Sequence, residues 1–165
     1  MKLRFKLGLA LWAMLSLLGC ASTSVPQIPP ATSQPMEETI TVQEDGWYST
    51  KEEVAEYLET YGHLPENYIT KKEAQALGWD NAKGNLWDVA EGKSIGGDRF
   101  GNREGLLPEQ TGRSYTECDI NTDGADSRGA ERLIFSNDGL YFYTSDHYVS
   151  FTELTVDGGT VVWSR

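Results

Sequence analysis

Arg132-Leu133-Ile134-Phe135-Ser136-Asn137-Asp138-Gly139-Leu140-Tyr141-Phe142-Tyr143-Thr144 decides the fold. Two runs rich in aliphatic and aromatic residues flank Asn-Asp-Gly, where Asp and Gly tolerate positive φ, so a β-hairpin is expected. Downstream the arrangement repeats, with Tyr148 to Val156 and Thr160 to Trp163 around Asp157-Gly158-Gly159. Upstream, Ser114 to Asn121 alternates with a period of two. Tyr115, Glu117 and Asp119 fall on one face, and Thr116, Cys118 and Ile120 on the other. Consecutive strands joined by tight turns make an antiparallel sheet.

Further upstream the period changes. Thr50-Lys51-Glu52-Glu53 is a capping box, followed by Val54, Tyr57, Leu58 and Tyr61 at helical spacing and by Gly62 as a C-cap. Glu52, Glu56 and Glu59 fall on the other side of this helix and are expected to be solvated. Thr70-Lys71-Lys72-Glu73 repeats the box ahead of Ala74, Ala76 and Leu77, and a further helical turn is expected at Asn85 to Ala90. Glycines at 92, 96, 97, 101, 105 and 112 make the stretch between helices and sheet mostly loops and short strands. Helices first and hairpins afterwards indicate an α+β fold: N-terminal helices packed on one face of a C-terminal antiparallel β-sheet.

The N-terminal part reads differently. Lys2, Arg4 and Lys6 precede an apolar run of 12 residues, Leu7 to Leu18, which is short of the about 20 that a membrane span needs. Leu17-Leu18-Gly19-Cys20 resembles a bacterial lipobox, which makes Cys20 the expected lipidation site and residues 1–20 a lipoprotein signal peptide. Residues 21–45 are Ser, Thr and Pro-rich and then acidic, the composition of an extended linker. A globular domain is expected over 46–165, anchored outside the cytoplasm to the bacterial membrane through the lipid, or secreted.

The chain has 165 residues and a net charge of −11, which removing the three signal-peptide cations takes to −14. Such a balance argues against nonspecific nucleic-acid binding, which depends on Lys and Arg displacing counterions from phosphates. Local fields are another matter. Glu117 and Asp119 share a strand face, and Arg128, Arg132 and Asp146-His147-Tyr148 follow. A carboxylate, an imidazole and two guanidiniums suit phosphodiester cleavage, which needs a base, an acid and cations for the charge building on phosphorus oxygens. On spacing alone each residue also has a plain reading: a solvated Glu, arginines balancing Asp119 and Glu131, a histidine in a turn. Neither His lies at zinc-ligand spacing and residues 119–126 lack the calcium-loop pattern, so metal-free chemistry without a cofactor is expected.

Longer motifs separate these readings. Leu64-Pro65-Glu66-Asn67-Tyr68-Ile69-Thr70-Lys71, Glu73-Ala74-Gln75-Ala76-Leu77-Gly78-Trp79, Lys93-Ser94-Ile95-Gly96-Gly97-Asp98, Asn102-Arg103-Glu104-Gly105, Glu117-Cys118-Asp119-Ile120-Asn121 and Thr144-Ser145-Asp146-His147-Tyr148 occur in order. From Val54 to Leu154 the chain closely resembles the microbial ribonuclease family, whose secreted bacterial members prefer guanine. The resemblance implies that Glu117 takes the proton of the ribose 2′-hydroxyl and that His147 protonates the departing 5′-oxygen, leaving a 2′,3′-cyclic phosphate. Lys71, Arg128 and Arg132 match the family's phosphate-binding cations, and Asp119 a carboxylate that orients the two arginines. Phe100, Gly101, Asn102, Arg103 and Glu104 match the guanine-recognition loop, with Glu104 as the carboxylate that accepts from the base. Tyr148 matches an aromatic residue lining the base and sugar site.

The resemblance also implies single-stranded RNA as substrate, a monomer, and a small acidic protein inhibitor as a candidate partner. Two alternatives stand beside the enzyme reading: a non-catalytic RNA- or protein-binding lipoprotein on the same fold, and an antibacterial ribonuclease toxin. The chain departs from the family pattern in places. Gly101 stands where a Ser is usual, and an insertion in Thr122-Asp123-Gly124-Ala125-Asp126 is expected to bring two carboxylates close to the phosphate site. Cys118 is expected to face the core, and Thr155 to Arg165 to add an edge strand.

Overall fold

The computed structural model describes residues 39–163. Cys20, the signal peptide at 1–20 and the linker up to residue 38 lie outside the described residues. Three helices come first in the main: α1 (Lys51–Tyr61), then the two-residue strand β1 (Tyr68–Ile69), α2 (Lys71–Ala76) and α3 (Leu86–Val89). Six strands follow: β2 (Ser94–Phe100), β3 (Tyr115–Asp119), β4 (Arg132–Ser136), β5 (Tyr141–Thr144), β6 (Thr152–Asp157) and β7 (Thr160–Trp163). They form one seven-stranded sheet in sequence order, parallel between β1 and β2 and antiparallel from β2 to β7.

Local chemistry explains the helix ends. Thr50 and Thr70 each accept the amide three residues on, while Glu53 and Glu73 bond back to the cap, so both capping boxes close. Gly62 ends α1 at φ 74° with its amide on the Leu58 carbonyl. The second box fixes Lys71 at the first position of α2.

Strand alternation sorts the core into two faces. Val54, Ala55 and Leu58 of α1 pack with Cys118, Leu133, Tyr141 and Leu154. Tyr115, Ile134 and Phe142 occupy the other strand parity and cluster with Leu107, with Phe100 and Tyr148 packed against them. A third cluster joins Ala74 of α2, Leu86 beside Trp79 and Ala90, and Ile95 of β2. The two-residue strand β1 lies outside what the sequence pattern indicates; two residues are too few to show any period.

Glu117 and Asp119 are thus placed on the face away from α1. The bulge at Gly97 completes this placement: Gly96 pairs with Cys118 but Asp98 with Glu117, and the intervening glycine takes φ 92°, a backbone disfavoured for other residues. Asp98 then accepts the Lys71 amide at 2.9 Å, linking β2 to the start of α2.

Two expectations need correction. The acidic side of α1 is not simply solvated: Glu56 is buried and accepts from Thr60, and Glu59 accepts the Tyr141 hydroxyl at 2.9 Å. The Glu59–Tyr141 contact is long-range and has no signature in helical spacing. Asp123 does not turn to Arg128 and Arg132 but accepts the Ser49 hydroxyl at 2.7 Å, because the Asn121 amide bonds the Ser49 carbonyl and draws the loop toward the start of α1.

The tail does form an added edge strand, β7. The segment before Gly46 also touches this region: Ile40 donates to the Gly159 carbonyl at 2.7 Å, and the Tyr57 and Tyr61 hydroxyls donate to the Glu44 and Val42 carbonyls. Gly159, at φ 86°, is required here, since a Cβ would lie 2.7 Å from the Ile40 carbonyl oxygen.

Candidate active site

Six charged or hydroxyl side chains join in one network on the sheet face opposite α1. Glu117 projects from the middle of β3 and is almost fully buried. Lys71 Nζ meets its Oε1 at 2.5 Å, and the Tyr148 hydroxyl donates to its Oε2 at 2.7 Å. The same Tyr148 oxygen accepts from Arg132 Nε at 3.2 Å. Arg132 Nε also lies 3.0 Å from Asp119 Oδ1, and Arg128 grips both Asp119 oxygens at 2.6 and 2.7 Å. The fork geometry of guanidinium against carboxylate fixes the arginines as well as pairing their charge.

Arg132 is buried to 1% exposure yet fully supplied with acceptors: beyond Asp119 and Tyr148 it donates to the carbonyls of Arg128, Gly129 and Glu131. Those bonds shape the 128–131 turn that presents Arg128. Burial lifts the Asp119 carboxyl above its usual value in spite of both arginines. Glu117 goes the other way. Burial pushes its carboxyl up, but the bonds from Lys71 and Tyr148, with the charges of Lys71 and Arg128, outweigh it and hold the group below the ordinary carboxylate range. Tyr148 is in turn pushed up to about 12 by burial and by its bond to the Glu117 carboxylate, so its hydroxyl stays a donor.

His147 is exposed on the turn after β5 and adopts φ 58°. Its amide donates to the Ala130 carbonyl at 3.2 Å, and its ring packs on Tyr148 with centroids 4.8 Å apart. The imidazole therefore stands beside the network, joined to it through Tyr148.

Phe100, at the end of β2, stacks on Tyr148 at 5.5 Å and 28° and so brings the loop after β2 to the same place. Phe100, Gly101, Asn102, Arg103 and Glu104, together with Arg99, line an open groove of about 430 Å³. Arg103 and Glu104 are exposed at its edge. Asn102 has a different part: its side chain exchanges two 3.0 Å bonds with the Leu107 backbone and its carbonyl accepts the Gly105 amide, which locks the loop from inside. Its φ of 40° is one that Asn tolerates better than most residues. At Gly101 an added Cβ would meet only the Arg103 side chain, at 3.5 Å, so a serine would fit.

Of the residues picked from the sequence, Lys71, Glu117, Asp119, Arg128, Arg132 and Tyr148 share one network, His147 and Phe100 pack on Tyr148, and Gly101 to Glu104 line the adjoining groove, with Asn102 holding the loop. Sequence reading missed two supports. The Tyr148 hydroxyl, whose contact with Glu117 crosses 31 residues, carries no local signal. Asp98 could have been suspected only from the double glycine before it, which allows a bulge.

This arrangement offers a carboxylate held ionised with cations beside it, and an exposed imidazole packed on the tyrosine that bonds that carboxylate. The family model described as ribonuclease matches residues 51–155. Over 106 residues, 64% of this chain, the ribonuclease of Bacillus intermedius is 54% identical and that of Heyndrickxia coagulans 53% identical. The match spans 65% of the first relative's length, just under two thirds, and 96% of the second's. Guanyl-specific ribonuclease St of Saccharopolyspora erythraea is 47% identical over 55 residues, 33% of this chain and 54% of its own. With more than half its length matched, this chain belongs to the ribonuclease family.

Proposed function

We propose that the protein is an extracytoplasmic endoribonuclease that cleaves single-stranded RNA 3′ to guanine, without a metal, through a 2′,3′-cyclic phosphate. The observation that carries this reading is the network of Lys71, Glu117, Tyr148, Arg132, Asp119 and Arg128 beside His147. A guanine enters between the 100–104 loop and Tyr148, where backbone amides reach O6 and N7 and Glu104 accepts from N1–H and the 2-amino group. Lys71, Arg128 and Arg132 take the charge on the phosphoryl oxygens. Glu117 accepts the 2′-hydroxyl proton, the 2′-oxygen attacks phosphorus, and His147 protonates the 5′-oxygen as its bond to phosphorus breaks. Water then opens the cyclic phosphate with the two roles exchanged. In this reading α1 backs the sheet on one face and the groove opens on the other.

The lipobox at Cys20 supports a lipoprotein signal over 1–20, a linker over 21–45 and a catalytic domain over 46–165, anchored at the membrane. RNA is the partner the site serves, with a small acidic protein inhibitor as a second and the monomer as the working unit.

Dinucleoside phosphates test the chemistry directly. With the base 5′ to the phosphate varied, guanine is expected to give the highest kcat/KM, with a cyclic phosphate as first product. The 2′-deoxy analogue should not be cleaved, because it lacks the nucleophile. Equal rates for guanine and adenine would remove the assigned role of Glu104.

The depressed Glu117 carboxyl fixes the pH behaviour. As a base it must be ionised, so the acid limb of the rate profile lies below the ordinary carboxylate range. Lys71→Ala is expected to move that limb to higher pH, because the nearest cation is gone. Stability follows the same sign. A carboxyl whose folded pKa is depressed contributes fully above its unfolded pKa, and the contribution is lost as pH falls through the folded value. Unfolding measurements in acid should therefore show Lys71→Ala losing this contribution at higher pH than the wild type.

A further inference from the structure

The turn that carries His147 is built around a carboxylate for which the mechanism above has no use. Asp146 Oδ1 accepts from the Thr144 hydroxyl at 2.8 Å and from the amides of Val149 and Ser150 at 3.0 and 2.9 Å, and Oδ2 accepts the Ser150 hydroxyl at 2.6 Å. Thr144 is 1% exposed, and its oxygen also accepts the Tyr148 amide at 3.1 Å. These bonds bind residues 144 and 146 to 148–150 and close the chain over two successive left-handed residues, His147 at φ 58° and Tyr148 at φ 73°. Such backbone is unfavourable for residues with a Cβ and lasts only where its surroundings enforce it.

The imidazole lacks comparable support. Among the described residues no group hydrogen-bonds either ring nitrogen, and the ring's recorded contact is its packing on Tyr148. Its direction is therefore set by the backbone beneath it. Four bonds to Asp146 are enough to keep that carboxyl ionised, with a pKa lowered to about 2 chiefly by the Ser150 hydroxyl and amide, so the support persists wherever the enzyme works.

We propose that Asp146 is a positioning residue for the general acid: by enforcing the left-handed turn it aims the His147 ring at the departing oxygen without touching substrate. The same turn sets Tyr148, whose hydroxyl bonds Glu117, so one carboxylate keeps acid and base in register. This rests on His147 being the acid, and the test separates the two ideas.

The readout is leaving-group dependence. A 5′-alkoxide needs the proton from His147 as the P–O5′ bond breaks, whereas a nitrophenolate leaves without one. Guanylyl-3′,5′-uridine and the nitrophenyl ester of guanosine 3′-phosphate are compared for wild type, His147→Ala, Asp146→Ala and Asp146→Asn. Val54→Ala, a core truncation beneath α1, serves as a control for general destabilisation. All are assayed where melting curves show them folded. His147→Ala defines the full fall in the ratio of dinucleotide to ester kcat/KM. Asp146→Ala should lower this ratio at least tenfold, Asp146→Asn by less since one acceptor oxygen remains, and Val54→Ala not at all. Equal losses on both substrates in Asp146→Ala, or in Asp146→Asn should the alanine variant not fold, overturn the positioning role. An unchanged ratio in His147→Ala instead removes histidine as the acid.

Discussion

Arg132→Ala is expected to lower unfolding free energy by about 3–5 kcal/mol, the cost of breaking a buried ion pair from one side. The loss has identifiable parts. Asp119 is 1% exposed and would keep only Arg128, while the carbonyls of residues 128, 129 and 131 would lose their donor at once. A domain of this size is stable by roughly 5–15 kcal/mol, so the variant would sit near the edge of folding at room temperature. Urea unfolding should show a lower midpoint at unchanged m-value, since the surface exposed on unfolding is the same. Arg132→Lys restores charge without the fork, and is expected to recover part of the stability but little of the activity. A midpoint within a few tenths of a kcal/mol of wild type for Arg132→Ala would show that the buried network contributes nothing net.

The second large effect is on rate. His147→Ala and Glu117→Gln should each reduce kcat for dinucleotide cleavage by about 10²–10⁴, the usual weight of a positioned acid or base. Because both act in one displacement at phosphorus, the base on the attacking oxygen and the acid on the departing one, the double variant should lose far less than the product of the two. His147→Gly separates activity from stability. The imidazole is exposed and its backbone is left-handed, so glycine removes the acid and relieves a conformation costing about 1–2 kcal/mol. That variant should be inactive yet unfold at higher denaturant than His147→Ala; the reverse order would mean the turn is not strained.

Much of this was legible before any coordinates, and the exceptions follow a pattern. Both capping boxes, the Asn137-Asp138-Gly139 hairpin and the strand parity of Glu117 and Asp119 are encoded within a few residues of one another, where short-range sterics and hydrogen bonds decide the outcome. Glu59 and Asp123 escape a local reading because their partners are distant: Tyr141 lies 82 residues from Glu59, and Ser49 lies 74 from Asp123. The catalytic candidates were found through motif resemblance. Spacing alone left Glu117 and His147 indistinguishable from an ordinary strand glutamate and turn histidine, because nothing local announces that Lys71, from a helix 46 residues away, will reach that carboxylate. Asn102 belongs to the loop that the resemblance marks for base recognition, but its inward pair of bonds to Leu107 depends on a backbone turn that sequence pattern does not specify.

Cys118 is fully buried against α1 and unpaired, and burial pushes its thiol well above the usual range. It follows Glu117 directly, on the opposite side of the same strand. A thiol reagent can reach it only when α1 lifts from the sheet or β3 leaves it, so with Cys20 replaced the labelling rate at Cys118 becomes a clock for opening of the strand that holds Glu117. Read with and without a bound nucleotide, that clock would tell how far occupation of the groove on one face restrains breathing on the other.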